Sequence, residues 1–188
     1  MTSRPRASSQ GGSSRQGLAA SARDLLFGGE ANLFALLDGA SAPELRRKLW
    51  EEEPECECLY RGDLEPDIAE VAPYLVRLER NSQFGEWVLE QGWGNHWGVF
   101  AWSASDLAVL RRHFRRFLIV HDPDGKPLYF RFYDPRVLRN YLPLCDAAEL
   151  AELFGPVTAY LMEGQTPGAL LRFELRDGAV QCREETLR

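Results

Sequence analysis

The chain has 188 residues, with 28 acidic and 22 basic side chains and a formal net charge of −6. A chain of this length buries about 70% of its extended surface on folding, which is enough for one sizeable core and little for two full domains. A hydrophobic fraction of 45% and an aromatic fraction of 11% exclude a wholly disordered protein.

The N-terminal segment is rich in serine, glycine, glutamine and arginine, and it has no acidic residue before Asp24. No apolar region of the kind found in a signal peptide follows its basic residues, and no stretch approaches 18 consecutive apolar residues. We therefore predict a disordered basic tail over residues 1–22, a single domain over residues 23–188, and a cytoplasmic location.

Short apolar runs bounded by turn-forming residues predict nine strands. These runs lie at residues 32–38, 58–60, 74–78, 96–102, 117–121, 128–133, 158–162, 169–176 and 179–183. Stretches with helical spacing alternate with the strands in the first part of the chain, and the last three strands follow one another. This order predicts an α/β fold, with a mixed β-sheet flanked by helices, parallel crossovers first, and a β-rich, antiparallel C-terminal end.

Helix starts and tight turns carry their own signals. Capping residues precede four of the expected helices, and a fifth helix is expected over residues 147–154. The expected caps are Ser41, Ser82, Asp106 and Asp134. A Pro-Asp-Gly turn at residues 122–125 and an Asp-Gly turn at residues 177–178 each predict a β-hairpin between the flanking strands.

The standard catalytic motifs are absent, since the sequence has no Gly-x-Ser-x-Gly elbow, no phosphate-binding loop and no His-Glu-x-x-His. Cys56 and Cys58 are unusually close for zinc ligands, and no second close pair follows them. We therefore expect reduced cysteines, no metal, no cofactor and no enzymatic activity.

Two groups of side chains are candidates for binding a protein partner, because arginine and tryptophan are enriched at interface hot spots. The first group consists of Arg111, Arg112 and Arg115, in a segment where basic residues dominate. The second consists of Trp93 and Trp97, and the glycines around Trp93 predict an exposed loop there. For the arginines, a solvated helix face and internal ion pairs stay open as alternatives.

Residues 130–136 read Phe-Arg-Phe-Tyr-Asp-Pro-Arg. Strand alternation places the two phenylalanines on one face and Arg131 with Tyr133 on the other. A buried arginine needs a carboxylate partner, and Asp38 and Asp134 are the candidates at the strand ends. We interpret this motif as an ion pair followed by a helix cap, with a ligand-binding arginine as the less favoured alternative.

Several segments in order resemble a single family. They lie at residues 33–40, 59–62, 72–76, 102–104, 107–117, 130–138 and 154–156. This pattern, over about residues 32–160, is similar to the effector chaperones of bacterial type VI secretion, the Tap or TEC adaptor family. Its most specific part is the pair formed by His-x-Arg-Arg-Phe at residues 113–117 and the motif at residues 130–136.

The resemblance implies a cytosolic, non-enzymatic adaptor that binds an effector and helps load it onto the spike protein VgrG (valine-glycine repeat protein G). It implies no catalytic residues, and it implies protein partners rather than nucleic acid or a membrane. Arg115, Arg131, Asp134 and Arg136 occupy motif positions where they are expected to maintain the fold. We expect an exposed apolar groove or a sheet edge that accepts a segment of the client.

Two other interpretations stay open. A small hydrolase or phosphate-handling enzyme would use His121 and Asp122 with the arginine cluster, and it requires His121, Asp122 and Arg115 to converge in one concave pocket. A nucleic-acid-binding module would use the same arginines, although the net charge of −6 and the acidic neighbouring segments argue against it.

Overall fold

The computed structural model describes residues 10–29, 31–122, 124–166 and 168–188. In these ranges a seven-stranded sheet forms the middle layer, helices cover both of its faces, and a separate two-stranded hairpin lies outside it. The strands are β1 (Asn32–Asp38), β2 (Cys56–Cys58), β3 (Pro73–Leu78), β4 (Gly98–Ser103), β5 (Ile119–His121), β6 (Pro127–Tyr129), β7 (Ala159–Glu163), β8 (Ala169–Arg176) and β9 (Ala179–Thr186). The helices are α1 (Gln10–Leu26), α2 (Leu45–Glu52), α3 (Pro66–Val71), α4 (Gln83–Gly92), α5 (Leu107–Phe114), α6 (Pro135–Tyr141) and α7 (Ala147–Phe154).

The strand order in the large sheet is β2-β3-β1-β4-β7-β8-β9. The α/β class, with flanking helices and a strand-rich C-terminal end, is confirmed. The expected parallel pairs are wrong, because every pairing among the described strands is antiparallel. β3 and β4 do run in the same direction, but β1 lies between them, so the α4 crossover joins strands that are not neighbours.

The sheet is buried on both faces. In β1, Leu33, Ala35 and Leu37 pack into a core with α1, α2 and α4, whereas Phe34 and Leu36 pack into a second core with α5, α6 and α7. Successive side chains of a strand point to opposite faces. Burial on both sides therefore explains why β1 reads as an unbroken apolar run rather than as an alternating one.

The N-terminal segment is more ordered than the sequence indicates. Residues 10–22, expected to belong to a disordered tail, form part of α1, so the tail prediction is wrong for them; residues 1–9 lie outside the described residues. Ala19, Ala22 and Leu26 are buried in the first core, and the Trp102 indole Nε1 donates to the Leu26 carbonyl at 2.7 Å. Their helical spacing was masked by the surrounding serines, glycines and arginines.

Three of the four expected N-caps form. Ser82, Asp106 and Asp134 each accept a backbone N–H of the following helix through the side-chain oxygen. The fourth is wrong, since α2 begins only at Leu45 and the Ser41 hydroxyl instead donates to the Asp38 carboxylate at 2.9 Å.

Both predicted hairpins are confirmed, but the first one is shorter than expected. The Asp122 carboxylate holds the first turn by accepting the backbone N–H of Lys126 at 2.8 Å, while Pro123 lies outside the described residues. β6 ends at Tyr129, so residues 130–133 are not the strand that the alternation argument assumed. In the second turn, Asp177 and Gly178 both have positive φ, as a tight two-residue hairpin turn requires.

Candidate partner-binding groove

A groove of about 630 Å³ opens between the segment that contains α3 and the β5–β6 hairpin. Its lining side chains are mostly apolar, and no acidic side chain of the described residues lines it. They are Leu59, Tyr60, Arg61, Leu64, Ile68, Val71, Arg115, Arg116, Leu118, Ile119 and Tyr129. Clustered apolar side chains that stay open to solvent mark interaction surfaces. We therefore take this groove as the candidate functional site.

One wall of the groove is α3. Ile68 and Val71 are three residues apart, so they lie on the same side of the helix, and both are exposed. The helix is anchored from its other side, where Ala69 is buried and the Tyr74 hydroxyl donates to the Ala69 carbonyl at 2.8 Å. The exposed position of the two apolar side chains therefore follows from how α3 is attached.

The opposite wall is the β5–β6 hairpin. Ile119 and Tyr129 are directly opposite each other in the antiparallel pair, which places their side chains on one face, and both line the groove. Tyr129 is 77% exposed, the most open of the apolar lining residues. The hairpin is outside the large sheet, and all the described residues of its two strands are exposed.

Arg115 holds the floor of the groove in place. Its guanidinium donates to the carbonyl oxygens of Cys58, Leu59 and Tyr60 at 3.1, 2.9 and 2.6 Å. Burial lowers its pKa, and the positive charges of Arg111 and Arg61 act in the same direction. This arginine, predicted to bind a partner, is thus committed to the segment that shapes the groove.

The other two arginines of that group differ from each other. The Nε of Arg111 lies 3.2 Å from a Glu57 carboxylate oxygen, so Arg111 also ties α5 to the β2 segment. Arg112 is exposed and has no partner among the described residues, although it does not line the groove. Two alternatives were open for these arginines. The internal ion pair applies to Arg111, and the solvated helix face applies to Arg112.

The Asp38 carboxylate is 1% exposed at the end of β1. It accepts the Ser41 hydroxyl at 2.9 Å, the Ala40 backbone N–H at 3.2 Å and the Arg131 guanidinium. Of the two carboxylates considered for Arg131, the structure selects Asp38. Because Arg131 comes shortly after the hairpin, this ion pair attaches the chain that leaves the hairpin to the end of β1.

Asp134 and Tyr133 complete the motif. Asp134 caps α6 by accepting the Arg136 backbone N–H at 2.8 Å, and its other oxygen accepts the Arg136 guanidinium at 2.7 Å. The Tyr133 ring is buried and lies next to Tyr60; burial chiefly, and the neighbouring Tyr60 and Asp38, raise the pKa of Tyr133. Since Tyr60 lines the groove, the motif is connected to the groove through this contact.

The Asp134 pair predicts a pH-dependent contribution to stability. Burial alone would raise the pKa of this carboxyl, but the hydrogen bonds from Arg136 outweigh it and hold the pKa below the ordinary value of 3.8. A carboxyl with a lowered pKa stabilises the fold above its ordinary pKa, and this contribution is lost as the pH falls through the folded-state value. Urea denaturation across this pH range measures it.

Two substitutions separate the cap from the charge. At neutral pH, Asp134→Ala is expected to cost about 1–2 kcal/mol because it removes the cap. Asp134→Asn should cost less than about 1 kcal/mol, since asparagine caps well and the ion pair with the half-exposed Arg136 is screened by solvent. The gap between wild type and Asp134→Asn should narrow as the pH falls through the lowered folded-state pKa of Asp134. A gap that stays constant as the carboxyl is protonated would contradict the assigned pair.

The tryptophans predicted to bind a partner are buried. Trp93 and Trp97 are each 8% exposed and belong to the first core, so the prediction of an exposed Trp93 loop is wrong. The Trp97 ring lies 4.9 Å from that of Trp87, and the Trp93 ring lies 6.4 Å from that of Phe100. A Cβ on Gly92 would come within 2.8 Å of Trp97, so this glycine provides packing room rather than a flexible loop.

His113 is a structural histidine. It is buried, and its Nε2 lies 3.0 Å from the Leu153 carbonyl oxygen, so Nε2 must carry the proton in this contact. Its pKa is lowered mainly by burial, and only secondarily by the charge of Arg116. His113 is therefore held neutral by its burial more than by the positive charge beside it.

The arrangement that the enzyme hypothesis requires does not form. Arg115 lines the groove, whereas His121 and Asp122 do not. His121 is exposed, and the Asp122 carboxylate is engaged in the backbone of the hairpin turn. Among the described residues, no group of three or more histidine, cysteine or acidic side chains is placed to hold a metal ion.

Most of the groove is not predicted by the sequence. The strand patterns that contain Ile119 and Tyr129 do not indicate that these strands lie outside the large sheet. A usable signal is present at residues 63–71, where Ile68 and Val71 stand three apart in an acidic stretch. No helix within the described part of the chain is long and apolar enough to cross a membrane.

An α/β domain with an exposed apolar groove has the features of a protein-binding module. The model of the family described as a domain of unknown function (DUF4123) matches residues 33–152, nearly two thirds of the chain. The chain therefore belongs to this family, which is associated with adaptors of type VI secretion effectors. No curated protein and no solved structure gives a significant match.

Proposed function

We propose that this protein is a cytoplasmic adaptor that binds one type VI secretion effector and helps load it onto the VgrG spike, without catalysing a reaction. The observation that carries this proposal is the family match over residues 33–152, which spans β1 to α7. All the residues that line the groove fall within the matched range.

The architecture suits an adaptor in two respects. The groove is open and apolar, so it offers the kind of surface that captures a segment of another chain. The motif residues Arg115, Arg131 and Asp134 are engaged in internal contacts that hold the groove walls and α6. Their work is thus to maintain a binding surface, which fits a protein that acts by contact.

Co-expression with its partners tests the proposal. The tagged chain is co-produced with VgrG and with the effector encoded beside the VgrG gene, and we expect the effector to be retained on the affinity column. Leaving out the chain should strongly reduce the amount of effector bound to VgrG. An effector encoded beside a different VgrG gene serves as the specificity control, and His121→Ala should retain the effector as well as the wild-type chain.

Two results would contradict the proposal. One is the recovery of neither partner with the tagged chain when all three proteins are present and folded. The other is an equal yield of effector bound to VgrG with and without the chain. Loss of effector loading in His121→Ala, with folding intact, would contradict the non-catalytic part of the proposal.

A further inference from the structure

We infer that the groove binds a short effector segment in which apolar side chains stand beside carboxylates. This inference rests on the proposed function, since it names the site and the chemistry of the client. Four of the apolar lining residues are buried or half-buried, and the other four are exposed to solvent. The exposed ones are Ile68, Val71, Ile119 and Tyr129.

The exposed apolar side chains on both walls favour an apolar occupant of the groove. Ile68 and Val71 on one wall face the space bounded by Ile119 and Tyr129 on the other. Each of these side chains would be removed from water by an apolar insert, with a gain of roughly 25 cal/mol per Å² of apolar surface buried. A volume of about 630 Å³ is enough for a few side chains of a docked segment, rather than for a whole domain.

The basic side chains that line the groove favour an occupant with carboxylates. Arg61, Arg115 and Arg116 line it, and no acidic side chain of the described residues does. Arg61 is exposed and has no ion-pair partner among the described residues. Arg116 lies 3.9 Å from Glu152, a long contact between two well-exposed side chains, and Arg115 meets only carbonyl oxygens. The lining of the groove is therefore basic, although the net charge of the whole protein is −6.

The acidic residues of the neighbouring segment, Asp63, Glu65, Asp67 and Glu70, do not line the groove, whereas Ile68 and Val71 do. Glu70 lies 3.4 Å from the Arg46 guanidinium, on the side of α3 that meets α2. A complementary occupant therefore carries carboxylates that pair with the exposed Arg61 and Arg116, and apolar side chains that pack against the two walls.

A peptide selection tests this chemistry directly. The full-length chain is used to select from a phage-displayed library of random short peptides, and a synthetic copy of the most enriched peptide is then titrated by fluorescence anisotropy. We expect the enriched peptides to combine aliphatic or aromatic residues with aspartate or glutamate. Affinity should fall as salt rises, because screening weakens the contacts of exposed charges.

Groove variants and matched surface controls locate the site. Tyr129→Ala and Arg61→Glu should each weaken peptide binding by about tenfold or more. Leu144→Ala removes an equally exposed apolar side chain, and Arg183→Glu reverses an exposed charge, but neither residue lines the groove. These two controls should bind the peptide as wild type does.

The same variants are then used for effector retention, so that failure of this inference and failure of the proposed function are distinguishable. Reduced retention by Tyr129→Ala and Arg61→Glu, with the controls unaffected, supports the inference. Enriched peptides without acidic residues, or equal peptide binding by groove and control variants, would overturn it. Full retention of the effector by both groove variants would overturn it as well, while leaving the adaptor function standing. If the wild-type chain does not retain the effector, the proposed function is contradicted, and so is the inference that an effector segment occupies the groove. The peptide titration still shows which chemistry the groove binds.

Discussion

Replacing Phe132 by alanine is expected to lower the free energy of unfolding by about 4 kcal/mol, the largest effect that we expect from a single substitution in this chain. Phe132 is 1% exposed, and its ring centroid lies 5.8 Å from that of Phe114 and 6.0 Å from that of Phe117. Truncation removes these contacts and leaves a cavity that rigid neighbours fill only in part. Urea denaturation followed by circular dichroism measures the loss.

The position of Phe132 gives this prediction a functional consequence. Its ring contacts Phe117, which precedes the hairpin, and Phe130, which follows it, so it anchors both ends of that groove wall. Phe132→Leu keeps most of the apolar volume and should cost only about 1–2 kcal/mol. Equal stability of the alanine and leucine variants would contradict the packing described here.

Arg131→Ala is the second large effect, with an expected loss of about 3 kcal/mol. The substitution leaves the Asp38 carboxylate buried without its cation, and an uncompensated buried charge is costly. The Arg131 side chain is 45% exposed, so the expected loss is at the low end of the range for buried pairs. Urea denaturation at neutral pH gives the magnitude.

A double-mutant cycle isolates the pair. Asp38→Ala alone should also destabilise, because the Ala40 N–H and the Ser41 hydroxyl lose their acceptor. When Asp38→Ala is combined with Arg131→Ala, no buried charge remains, and the total cost should be at least about 1 kcal/mol below the sum of the two single costs. Strictly additive costs would show that the two side chains are not coupled.

The predictions that held were those for which the signal is local. Ser82 and Asp106 are short polar side chains placed directly before helical spacing, and the geometry of a first helical turn depends on little else. Asp177-Gly178 specifies a tight turn for a similar reason, because both positions need a positive φ that aspartate and glycine tolerate. Asp38 was one of the two partners considered for Arg131, but the burial assumed for Arg131 is wrong: Arg131 is exposed, and the buried group of the pair is Asp38.

The failures share a cause at longer range. The helix and strand order shows that the chain crosses the sheet between β3 and β4, but it does not show that β1 occupies the position between them. The glycines around Trp93 were interpreted as a loop signal, whereas Gly92 makes room for the Trp97 ring. The position of β1 depends on strand pairing with residues far away in sequence. Gly92 and Trp97 are only five residues apart, but the core that buries Trp93 and Trp97 includes distant residues of β1, such as Leu37.

The amino-acid sequence by itself determined most of the strands and helices, three of the four expected caps, both hairpin turns and the family, because these depend on neighbouring residues and on motif spacing. Only the tertiary structure decided the antiparallel order of the sheet, the burial of Trp93 and Trp97, and the groove. The groove exists because the β5–β6 hairpin stays outside the large sheet, where Ile119 and Tyr129 are open to solvent. No local pattern in the sequence distinguishes strands that join the large sheet from strands that stay outside it.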